Sequence, residues 1–227
     1  MPLFELSVTA TQDLKDSVRS YHGLFQESKC EATALEELTV KAFRVDERTR
    51  NGVQWIPGTH SSDSDIVLTL NPNNIVGLSV KSGVMKTLIQ RPAKRGKYRM
   101  VTEEQISLAD RENGIIEVHG HRLTKHRGNF ASIHQFLRDH VPTVMLTFVH
   151  SKEDRCYQIV YVDSSVFTYP HTKNDWTPMY DRTGTKVTYY VTTASNGLTL
   201  KIIPAKSWQI HWNFPARLCR FGEKLSF

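Results

Sequence analysis

The chain has 227 residues, 39% of them hydrophobic and 23% charged, a globular composition with room for one large domain or two small ones. Lys and Arg number 29 against 23 Asp and Glu, a formal charge of +6 that suits a polyanionic partner. No apolar run approaches the ~20 residues of a membrane span, the first ten residues lack the basic flank and apolar stretch of a secretory leader, and three scattered cysteines (Cys30, Cys156 and Cys219) read as reduced thiols of a cytoplasmic protein.

In chain order, Leu14, Val18, Tyr21 and Phe25 recur at one helical face, and Leu35, Leu38 and Ala42 make a second stripe. Glu37 and Lys41 stand four apart on that second helix, in the favourable order for an ion pair. Residues 46–64 read as irregular. Asp65–Leu70 (DIVLTL) and Ile75–Val80 (IVGLSV) are apolar, β-rich runs joined by Asn71-Pro72-Asn73-Asn74, which predicts a hairpin. Residues 82–101 read as a long basic loop. From Lys81 to Arg99 there are seven basic residues (Lys81, Lys86, Arg91, Lys94, Arg95, Lys97 and Arg99) and no acidic one.

Thr102 with Gln105 predicts a capping box and a short helix. Ile115–Val118 predicts a strand, and Asn129 a cap for a helix carrying Phe130, Ile133 and Leu137. Thr143–Val149 and Tyr157–Val162 predict a strand pair. Residues 169–186 read as a polar loop. Val187–Thr192 and Leu198–Ile203 predict a second pair across Ser195-Asn196-Gly197, and Trp208, His211, Trp212 and Phe214 alternate in part like a strand. The string predicts an α/β fold, a mixed central sheet flanked by helices with a β-rich C-terminal part.

The hairpin carries the chemistry. An antiparallel pair with a short turn sets the start of one strand beside the end of the next, so Asp65 and Lys81 meet at one end of the sheet. Ser79 and Lys81 share a face, because side chains alternate with period two. A carboxylate suits a hard divalent cation, a lysine can orient a water or stabilise charge on a phosphate, and the Val80 carbonyl can complete the coordination. Asp63, or Glu37 (or Glu36) on the preceding helix, would supply a further carboxylate.

These residues resemble the PD-(D/E)XK nuclease superfamily and, within it, the type II restriction endonucleases. Asp65 matches the aspartate, and Ser79-Val80-Lys81 matches the acidic-X-lysine triplet with serine in the acidic position; no proline directly precedes Asp65. The resemblance implies a single restriction-endonuclease-like domain over 1–227, with a catalytic core over 1–150 and a DNA-recognition part over 151–227. It implies Mg2+-dependent hydrolysis of double-stranded DNA at a short specific site by a homodimer. Asp65, Ser79, Lys81 and Glu37 are then the catalytic residues, and Asp65, Asp63, Val80 and Glu37 hold the metal.

Phosphate and base contacts are expected from Lys86, Arg91, Lys94, Arg95 and Lys97 in the basic stretch. They are also expected from Arg122, Lys125 and Arg127, and from Lys173, Asn174, Arg182 and Lys186. Two alternatives stand beside this reading. One is a non-catalytic basic DNA-binding module. The other is a zinc enzyme built on the run of His119, His121, His126, His134 and His140.

Overall fold

The computed structural model describes residues 4–25, 31–55, 64–92, 98–105, 114–169 and 172–227, with the side chains of 87–92 and 98–105 left aside. The expected residues Asp63, Lys94, Arg95 and Lys97 and the thiol of Cys30 lie outside the described residues, as does the side chain of Arg91.

The chain is mixed α/β, a central mixed sheet with three α-helices among the described residues. Helices α1 (Val8–Phe25) and α2 (Ala32–Val45) come first. Strands β1 (Val53–Trp55), β2 (Ile66–Asn71), β3 (Asn74–Pro92), β4 (Tyr98–Gln105) and β5 (Ile115–Arg122) follow. Then come α3 (Phe130–Asp139), β6 (Val144–Ser151), β7 (Cys156–Asp163), β8 (Thr177–Tyr180), β9 (Val187–Thr193), β10 (Thr199–Ile203), β11 (Gln209–Pro215) and β12 (Arg220–Ser226). The twelve strands share one sheet, whose long path runs β12-β7-β6-β3-β5-β11-β10-β9-β8.

β1, β2 and β3 form an antiparallel meander, and after α3 the chain returns as β6, parallel to β3. A parallel neighbour requires such a crossover, because a tight turn can only reverse the chain. The strands after residue 151 flank the core on both sides. β7 and β12 extend the β6 side, and β11 to β8 extend the β5 side.

Alternation divides the core. On one face Ile66, Leu68, Leu78, Val80, Leu146, Phe148 and Ile159 pack against Leu14, Val18, Leu35 and Phe43 of α1 and α2. On the other, Met85, Ile116, Val118, Met145, Val149, Trp212 and Phe214 pack with Ile133 and Leu137 of α3. Burying one such large apolar side chain stabilises the fold by roughly 1.5–3 kcal/mol, so each helix is held mainly by its stripe. Asn129 caps α3, its side-chain oxygen accepting from the Ser132 amide at 3.1 Å.

Several expectations need correction. Residues 82–92 and 98–101 are strand and not loop: β3 continues to Pro92 and pairs with β4, from Lys86↔Gln105 to Pro92↔Tyr98. Thr102 and Gln105 accordingly lie on a strand and open no helix. Met100, Val101 and Thr102 favour a strand, and pairing with β3 satisfies backbone groups that a helix turn would otherwise have used. The stretch 169–186 contains β8, and Trp176 is buried there, its indole N–H donating to His134 Nε2 at 2.8 Å.

Lys41 does not pair with Glu37. It crosses to α1 and donates to Asp13 Oδ1 and Ser17 Oγ, each at 2.8 Å. Cys156 and Cys219 are free thiols, and burial pushes the Cys219 thiol up to about 12. No helix among the described residues is long and apolar enough to cross a membrane.

Candidate active site

The site is a break in the sheet. On one side β3 is paired continuously with β6, from Leu78↔Val144 to Val84↔His150. On the other side β2 stops at Ile66↔Leu78, and β5 takes over at Gly83↔Val118. Between them, residues 79–82 have no strand partner on that side among the described residues. Backbone groups left open this way must find other partners.

Asp65, in the bend just before β2, supplies one. Its Oδ2 accepts from the Val80 amide at 2.7 Å, the Ser79 hydroxyl at 3.1 Å and the Lys81 ammonium at 2.7 Å. The two charged side chains are largely withdrawn from solvent, 19% exposed for Asp65 and 16% for Lys81. A charged hydrogen bond in that setting is stronger than a surface pair and holds the carboxylate in one orientation. Asp65 Oδ1 makes no hydrogen bond among the described residues. A residue's N–H and C=O leave a strand on the same side, so the Val80 carbonyl also addresses the break.

Leu78 and Val80 belong to the core under α1 and α2, so Ser79 and Lys81 project to the α3 face. Glu117 projects the other way, since its neighbours Ile116 and Val118 pack under α3. Across an intact sheet these two sets would be separated by backbone. Here the missing strand joins them, and a cavity of about 600 Å³ is lined by Lys81, Gly83, Glu117, His119, Gln209 and the first residues of α2. Glu31 at the N-cap of α2 makes no side-chain cap hydrogen bond among the described residues, and with Ala32 and Thr33 it borders the cavity.

The expected residues fall into groups. Asp65, Ser79, Val80 and Lys81 come together as the hairpin predicts. Glu37 does not join them: it is exposed on α2, whose buried face packs on the side of the sheet away from Asp65. Glu36 hydrogen-bonds the Trp55 indole. Lys86 lies on β3 beyond the break and donates to Glu117 Oε1 at 3.0 Å. Arg122, Lys125 and Arg127 are exposed at the end of β5 and in the 3-10 turn that follows. Lys173 and Asn174 are exposed in a second 3-10 turn, with the Lys173 ammonium 6.0 Å from the centre of the Phe130 ring. Arg182 and Lys186 are exposed between β8 and β9.

Of the histidine run, only His119 enters the cavity. His126 bonds the Ser132 hydroxyl, His134 the Trp176 indole and His140 the Phe136 carbonyl. Sequence reasoning missed Glu117 and His211. Glu117 Oε1 lies 3.1 Å from His119 Nε2 and 3.8 Å from His211 Nδ1. The hydrogen bond with His119 and the approach of His211, joined by the Lys86 ammonium, hold the Glu117 carboxyl far below the usual range, against the opposing effect of burial. The available signal was polar residues at alternate positions, Glu117 and His119 in IIEVHGH and His211 and Asn213 in QIHWNFP, each between apolar neighbours.

Three comparisons with known proteins, against family models, curated sequences and solved structures, gave no match to this chain.

Proposed function

We infer that the protein is a Mg2+-dependent endonuclease that hydrolyses phosphodiester bonds of double-stranded DNA in the break between β2 and β5. The observation that carries this reading is the Asp65–Lys81 contact, 2.7 Å long, on strand residues left open beside a cavity. A structural ion pair would need neither the interrupted sheet nor the adjoining space. The hairpin, the helices before it and the helix followed by strands after it agree with a restriction-endonuclease-like fold.

The donors present fit magnesium, which takes one or two carboxylates and fills its other positions with water and phosphate. Asp65 Oδ1 and the Val80 carbonyl would hold it, with Ser79 and the Val80 amide fixing the carboxylate from behind. Bound there, the ion supplies charge neutralisation at the phosphate and a more acidic water. Lys81 directs its ammonium at the same place, where it orients the attacking water and offsets charge that develops on the phosphate oxygens. The N-terminus of α2, which borders the cavity, places the positive end of a helix dipole near a neighbouring phosphate.

The cations Arg122, Lys125, Arg127, Lys173, Arg182 and Lys186, with Asn174, are exposed and supply the duplex-binding surface in this reading. Lys86, on β3, pairs with Glu117 beside the cavity, and phosphate contacts by Arg91, Lys94, Arg95 and Lys97 stay an expectation of the resemblance. A homodimer acting on a two-fold symmetric site follows from the same resemblance.

Incubation with supercoiled plasmid tests the reading. With Mg2+ the expected outcome is discrete fragments, and with EDTA none. A mobility shift without cutting under both conditions would replace the enzyme by a DNA-binding module.

A further inference from the structure

β5 and β11 are antiparallel neighbours with His119 opposite His211 and Glu117 opposite Asn213. Opposed residues project to the same face, so Glu117, His119 and His211 stand together. The register slips between Gln209 and His211, where two residues of β5 (Gly120 and His121) stand against one of β11 (Ile210). Such a bulge re-aims the side chains beside it. Gly120 sits in the bulge because any Cβ there would run into the Trp212 ring. Each of the three residues offers one ligand atom, and these atoms all lie within 4.8 Å of one another.

We propose that Glu117, His119 and His211 form a binding site for a borderline divalent transition-metal ion of the zinc class, facing the cavity that Lys81 also lines. The donor set selects that class: imidazole nitrogens favour zinc and its first-row neighbours, whereas magnesium and calcium prefer oxygen.

The spacing agrees with coordination. Ligands ~2.0–2.1 Å from a tetrahedral zinc stand about 3.3 Å apart, and the contacts of Glu117 Oε1 with His119 Nε2 and His211 Nδ1 are 3.1 and 3.8 Å. The two imidazoles are close neighbours, ring centroids 4.1 Å apart. Three protein ligands leave at least one position for water or substrate, as in catalytic zinc centres. The exposure points the same way, since Glu117 and His211 are 7% and 3% exposed while the His119 side chain is 51% exposed towards solvent. His211 Nε2 has no hydrogen-bond partner among the described residues. The other ring nitrogen, Nδ1, is the one that faces Glu117.

Lys86 now neutralises the carboxylate at 3.0 Å. A dication would take over that role, and the long lysine stem can swing aside. The ammonium is therefore a competitor of the metal.

The site stands independently of DNA cleavage. After stripping with EDTA, the full chain is titrated calorimetrically with Zn2+, against Mg2+ as control. Wild type is expected to bind one Zn2+ per chain, with Mg2+ failing to compete. His119→Ala, at a half-exposed position that folding tolerates, is expected to weaken binding at least about tenfold, and Lys86→Met to strengthen it several-fold. Asp65→Asn is expected to bind Zn2+ as wild type does even if it no longer cuts DNA, which separates this site from the magnesium reading. Absence of Zn2+ binding, or binding that His119→Ala and Lys86→Met leave unchanged, overturns the proposal.

Discussion

Asp65 Oδ2 is shared by a backbone amide, a hydroxyl and an ammonium, and these three donors differ in what their loss would do. Ser79 contributes a neutral hydrogen bond of 3.1 Å, worth roughly 0.5–1.5 kcal/mol. Ser79→Ala is therefore expected to lower the urea-unfolding free energy by about that amount. It should leave cleavage within about tenfold of wild type, a 1.4 kcal/mol ceiling, because the Val80 amide still orients the carboxylate. Complete loss of cleavage in a folded Ser79→Ala protein would place the hydroxyl at the reacting phosphate instead.

The Asp65–Lys81 meeting was legible in the sequence, because a hairpin with a two-residue turn fixes register locally. The Glu37 placement was not. A helix stripe says which face is buried but not which side of a sheet it covers, and α2 lies on the side away from Asp65. The pairing of His119 with His211 was hidden for another reason: it depends on β11 adding to β5 after a long excursion through α3 and five strands.

At the scale of elements, β3 organises the site. It is 19 residues long and successively meets β2, β6, β5 and β4. Its apolar first half reads plainly as a strand. The second half is basic and polar, so composition argued for a loop, yet cross-strand pairing with β4 carries it onward. Gly83 marks the point where β5 joins. A Cβ there would lie 2.8 Å from Thr147 Cγ2 and 3.1 Å from the Glu117 carbonyl oxygen, too tight without movement of a neighbouring strand. Gly83→Ala is expected to destabilise the fold by about 1–3 kcal/mol and to lower cleavage further by displacing β5 from the rim. Chemical denaturation with a parallel cleavage assay measures both; an unchanged midpoint with full activity would mean that the β3–β5 junction is slack.

At the scale of the molecule, helices cover the sheet on both faces and the interruption falls at its centre, between the β2 meander and the β5–β11 extension. Strand-like runs and helical stripes made the α/β class readable from the chain. The order of strands was not readable, because the β-rich tail divides, with β12 going to β7 and β11 to β5. The interruption between β2 and β5 sets Glu117 and Lys81 around one cavity, to which β11 adds Gln209. The net charge of +6 and the exposed cations favour approach of a polyanion to this assembly.

The most direct test compares binding and cutting in Lys81→Met, which keeps the stem and removes the ammonium. Fluorescence anisotropy on a duplex in EDTA reads affinity, and a plasmid digest in Mg2+ reads hydrolysis. The expected result is affinity close to wild type with cleavage reduced by at least about 100-fold, the range over which removal of one charge-stabilising donor acts. Cleavage at the wild-type rate by a folded Lys81→Met protein would contradict the assignment of this lysine, and with it the active centre between β2 and β5.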